Sequence, residues 1–96
     1  RNTIDPEPIL ARHGADAVRW FMLSDSPPER DLEWSESGIE GASRFVQRVW
    51  RLVSSVAGAS GADVAVDRKL HRVIAAVTAA IEGLQFNKAI AQLYEL

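Results

Sequence analysis

With 96 residues, 47% apolar and 25% charged, the chain suffices for one small domain or two partial ones and is too hydrophobic for wholesale disorder. Its formal net charge of −2 excludes a generic polyanion binder, so a nucleic-acid contact needs a local basic face. The absence of cysteine excludes disulfides, thiol catalysis and cysteine-based zinc sites, and no apolar run approaches the length of a membrane span.

The first residues, Arg1-Asn2-Thr3-Ile4-Asp5, lack the basic-then-apolar layout of a secretory signal. They also lack an initiator methionine, and the far end stops inside an apolar pattern at Leu96, so both ends read as cut. The expectation is a reducing, aqueous compartment, the cytoplasm, with no membrane partner.

Asp5-Pro6 reads as an N-cap followed by proline at the first helical position, opening a short helix Pro6–His13 that Gly14 stops. A second helix is predicted from Asp16 to about Leu23, with Val18, Phe21 and Met22 inward, and Ser26-Pro27-Pro28 breaks the chain. Asp31-Leu32-Glu33-Trp34 alternates polar and apolar residues, which suits a strand or extended segment, with Thr3-Ile4 as a second such piece. Ser37-Gly38-Ile39-Glu40 matches a capping box and opens the clearest helix, running to about Ala57. Its apolar stripe is Ile39, Ala42, Val46, Val49, Val53 and Val56, broadened by Phe45, Trp50 and Leu52.

Gly58–Ala62 forms a connector. Asp67 is the expected cap of a further helix with a stripe of Leu70, Val73, Ile74, Val77, Ile81 and Leu84, ending near Gly83. Asn87 is the expected cap of a last helix carrying Ile90, Leu93 and Tyr94. The fold class is therefore mainly α: an α/β portion with short extended segments over residues 1–35, then a partial antiparallel helical bundle over residues 36–96.

Chemistry-bearing patterns are scarce. The six glycines form no phosphate loop, and His13 and His71 stand alone without the convergent ligands a metal needs. Ser24-Asp25-Ser26 has no histidine nearby to serve as base, and Glu29, Asp31 and Glu33 read as a solvated face. No catalytic, cofactor-binding or metal residue is assigned. Trp20, Trp34 and Trp50 each sit in or beside an apolar pattern and read as packing residues.

One basic constellation remains. Arg44, Arg48 and Arg51 recur at i, i+4 and i+7 opposite the apolar stripe, which aligns three guanidiniums over roughly 10 Å of helix. Such a ridge can fork onto successive phosphates. Spacing alone favours the plainer alternative, a solvated face on which Glu40 pairs with Arg44. The plainer reading is favoured more strongly for Arg68, Lys69 and Arg72. A helix-turn-helix DNA binder fits poorly, because the connector Gly58–Val66 is too long for the usual turn. A helical protein-interaction module without nucleic-acid binding is the rival from another class.

Longer strings go further. Arg1-Asn2-Thr3-Ile4-Asp5-Pro6 and His13-Gly14-Ala15-Asp16-Ala17-Val18-Arg19-Trp20-Phe21-Met22 resemble the segment after the KMSKS loop of class I aminoacyl-tRNA synthetases. Leu32-Glu33-Trp34-Ser35 followed by Gly38-Ile39-Glu40-Gly41-Ala42-Ser43-Arg44-Phe45 narrows the resemblance to the leucyl-tRNA synthetase family. Isoleucyl and valyl relatives usually carry phenylalanine where Trp34 stands. Asp67–Arg72 and Phe86–Ile90 are similar to the same family, so that only Gly58–Val66 is unremarkable.

The resemblance implies an internal fragment of a leucine-tRNA ligase. Residues 1–35 would form the stem-contact portion following the catalytic domain, and residues 36–96 the start of the anticodon-binding-type helical bundle. The full enzyme uses ATP and magnesium to activate leucine and esterify tRNA-Leu, with its HIGH, KMSKS and editing sites outside this piece. The fragment itself is expected to be inactive, without a cofactor, and open to self-association. Its partners would be tRNA-Leu and the rest of the synthetase chain. Arg44 and Arg48 match arginines that face the tRNA backbone in the family, and Arg51 matches a basic position less strictly.

Overall fold

The computed structural model describes residues 4–56, 58 and 61–96, and among them it forms five helices: α1 (Pro6–His13), α2 (Ala15–Asp25), α3 (Glu36–Val56), α4 (Val64–Glu82) and α5 (Phe86–Glu95). They fall in two compact units. The first holds α1, α2 as far as Met22, and residues 32–56; the second holds residues 23–31 with α4 and α5.

In the first unit the start and stop of α1 follow the local chemistry. The Glu7 N–H donates to the Asp5 carboxylate at 3.0 Å, while Pro6 occupies a position that needs no donor. Gly14, at φ 86°, reverses the chain and donates its N–H to the Leu10 carbonyl at 2.9 Å. Helix α2 begins at once, at Ala15, and turns Ala17 and Phe21 inward. These two pack with Ile39 and Ala42 of α3 into the unit's core, flanked by Ile9, Val18, Trp20 and Trp34. Met22, expected inside, is exposed; it stands about 100° further round α2 than Phe21, past the edge of the buried line.

No strand forms among the described residues, which corrects the expected α/β portion. Asp31–Trp34 has no ladder partner, Ile4 has none either, and Thr3 lies outside the described residues. The alternation over 31–34 has a different cause. Leu32 and Trp34 line an apolar groove together with Ile4, Ile9, Val18 and Met22. A period of two requires only one apolar side, whereas a strand must also find a neighbour for its backbone hydrogen bonds.

In the second unit α4 starts one turn earlier than expected. Asp63, not Asp67, is the cap, its carboxylate accepting from the Ala65 and Val66 N–H groups at 2.9 and 3.2 Å. Asp67 lies in the first turn, where a negative charge still suits the helix dipole. Val73 and Ala80 of α4 and Ala89 and Ile90 of α5 are buried where the two helices pack. Helix α5 starts at Phe86 with Gln85 as its cap, so Asn87 is its second residue and not the expected cap. The Asn87 Oδ1 is buried without a hydrogen-bond partner among the described residues.

The α4–α5 turn closes in a Schellman pattern: Gln85 N–H donates to the Ala80 carbonyl at 2.8 Å, and Leu84 N–H to the Ile81 carbonyl at 3.1 Å. The left-handed position falls on Leu84 (φ 56°), while Gly83 beside it keeps a negative φ. A side chain in that region costs roughly 1–2 kcal/mol, and Leu84 is exposed, so little burial offsets it. Leu84→Gly should therefore stabilise α4 and α5 by about 0.5–1 kcal/mol after allowing for glycine's unfolded-state entropy. The check is slower amide exchange along α4; unchanged or faster exchange would count against the strain.

Candidate nucleic-acid interface

The basic ridge depends on how α3 is anchored. Its cap is Ser35, two residues before the expected Ser37: the Ser35 Oγ accepts from Gly38 N–H at 3.1 Å and its carbonyl from Ile39 N–H at 3.0 Å. Starting there places Gly38 in the first turn against Phe21, where an added Cβ would lie 2.5 Å from the ring Cε1. Phe21 in turn meets Trp34 edge to face, centroids 5.5 Å apart at 76°, and the Trp34 indole N–H donates to the Glu36 carboxylate at 3.2 Å. The first turn of α3 is thus fixed on three sides, by a cap, by ring contact and by the buried pair Ile39 and Ala42.

That anchoring sets which way the rest of α3 faces. With Ile39 fully buried, Arg48 lies half a turn round the helix from it, and Arg44, Arg48 and Arg51 are all exposed. Among the described residues no carboxylate comes within 4 Å of the three guanidiniums; Glu40 and Arg44 form no ion pair, and the pair that does form is Arg19–Asp16 on α2, at 3.5 Å. Three unneutralised cations on one flank can accept phosphate oxygens without first breaking a bond to protein.

Arg48 has one further neighbour. Its guanidinium carbon sits 5.6 Å from the centroid of the Phe45 ring, and that ring stacks on Trp20 of α2 with centroids 4.6 Å apart and planes 15° from parallel. By pattern alone Phe45 and Trp20 read as packing residues, and their relation to Arg48 does not show. The i, i+3 spacing of Phe45 and Arg48 was the signal that could have found it.

The apolar stripe of α3 is buried only at its beginning. Val49, Trp50, Leu52, Val53 and Val56 are exposed, Trp50 at 75%, and a groove runs along Trp20, Phe45, Val46, Val49, Trp50 and Val53. Trp20 and Trp34 pack as expected, whereas Trp50 does not. Of the second basic cluster, Arg68 and Arg72 are exposed and Lys69 is half-buried. Among the described residues no three histidine, aspartate or glutamate side chains come together as metal ligands.

No family model matches the chain. Individual proteins do match, along its whole length. A leucine–tRNA ligase of Novosphingobium aromaticivorans is 62% identical over 97 residues, one of Sphingopyxis alaskensis 61% over 98, and one of Rhizorhabdus wittichii 59% over 96. The chain belongs to the leucine–tRNA ligase family. It spans 11–12% of the length of these curated relatives, so it corresponds to one segment of such a protein. Among the described residues no helix is long and apolar enough to cross a membrane.

Proposed function

We propose that this chain is a non-catalytic segment of a leucine–tRNA ligase that braces the catalytic domain and contacts the tRNA-Leu backbone through Arg44, Arg48 and Arg51. The whole enzyme would join leucine to tRNA-Leu at the expense of ATP, with magnesium, in the cytoplasm. On this reading ATP and magnesium would be held by other parts of the enzyme. Residues 1–35 would be the stem-contact portion and residues 36–96 the beginning of the anticodon-binding-type bundle.

The observation that carries the contact is the exposed arginine ridge, free of carboxylates and backed by an anchored helix. Arg48→Ala in the full-length ligase should weaken tRNA-Leu binding and reduce its salt dependence by about 0.7–0.9 in the log–log slope, one phosphate contact's share. Titrations of tRNA at several salt concentrations test this; an unaltered affinity and slope would remove the ridge. The segment alone should give no leucine-dependent ATP–pyrophosphate exchange.

A second reading is favoured by the exposed apolar end of α3, from Val49 to Val56. On that reading the segment is a protein-interaction module, and the isolated chain self-associates through this face. Concentration-dependent sedimentation together with undetectable RNA binding at low salt would support it over tRNA contact.

A further inference from the structure

We infer that Phe45 is a positioning residue for Arg48: held by Trp20, its ring presets the guanidinium for an anionic backbone. The inference rests on the tRNA reading of the ridge and adds to it a residue that carries no charge itself.

Arginine on an exposed helix flank samples many rotamers, and ordering it on a phosphate opposes binding. Arg44 and Arg51 have no ring contact among the described residues, while Arg48 lies within cation–π range of Phe45, 5.6 Å from the centroid. The ring is itself restrained, since it is half-buried and stacks on Trp20 at 4.6 Å. Because Trp20 comes from α2 and Phe45 from α3, the packing of two helices fixes the plane on which the guanidinium rests. A guanidinium on an aromatic face keeps its N–H edge free, so the same group can still fork onto phosphate oxygens.

The test is a double-mutant cycle in the full-length ligase, with affinity for a tRNA-Leu transcript as the readout. Phe45→Leu should weaken binding by about two- to five-fold when Arg48 is present, the size of an exposed cation–π contact. It should have no effect in the Arg48→Ala background, and Phe45→Tyr, which keeps the ring face, should restore binding. Equal losses from Phe45→Leu in both backgrounds would mean that the ring only shapes the helix pair, and would overturn the inference. So would an unchanged affinity for Phe45→Leu while Arg48→Ala alone weakens binding. If Arg48→Ala itself leaves affinity untouched, the ridge reading fails and takes this inference with it.

Discussion

Replacing Ile39 with alanine should loosen the first unit by about 2–5 kcal/mol, the usual range for an isoleucine lost from a packed core. Ile39 is the largest fully buried side chain among the described residues, at 0% exposure. Its neighbours in the core are small or flat, namely Ala17, Ala42 and the Phe21 ring, and none can extend into the space that the missing atoms leave. Amide exchange is the suitable measurement, because it reads local opening without assuming that the chain unfolds in one step. The amides of α2 and the first half of α3 should lose protection by at least about thirty-fold, the equivalent of 2 kcal/mol. A change below threefold would show that Ile39 does not hold the unit together.

Gly38→Ala should also destabilise the first unit, by less, although alanine is the better helix former. Exchanging glycine for alanine inside a helix normally gains about 1 kcal/mol. Here the new Cβ would stand 2.5 Å from Phe21 Cε1 and 3.0 Å from Cδ1, and the ring is 3% exposed with Trp34 against it. Overpacking a filled site costs about 1–3 kcal/mol, more at such short approach, so the balance falls at about 1–2 kcal/mol of destabilisation. Loss of the Phe21–Trp34 contact should accompany it, read as a changed near-ultraviolet circular dichroism signal. A stabilised protein with unaltered aromatic signal would mean that Phe21 has room to move. Gly41 offers a control on the same helix, since a Cβ there meets nothing nearer than the Arg44 side chain at 3.9 Å.

Much of the helical layout was legible because helix signals are local. Asp5, Pro6 and Gly14 each act within one turn, and α1 runs as they dictate. The caps of α3, α4 and α5 were misplaced, at Ser37 for Ser35, Asp67 for Asp63 and Asn87 for Gln85. In the first two cases another capping residue stood two or four positions upstream. A side chain able to cap does not reveal which of two candidates the helix will extend to, since that depends on what the extra turn can pack against. Gly38 shows the dependence: the turn opened by Ser35 is the one that brings it against Phe21.

The order of residues by itself determined that the chain is helical, that α3 has an apolar side and an arginine side, and that its motifs resemble leucyl-tRNA synthetases. Periodicity and motif are properties of neighbours in the chain, so they need no fold to be read. The tertiary structure alone decided that Leu32 and Trp34 face a groove without forming a strand, and that burial stops near Ala42. It also brought Trp20 onto Phe45 beneath Arg48. Each of these depends on a surface supplied by a different segment, and a helix cannot signal in advance which part of its apolar side will find one.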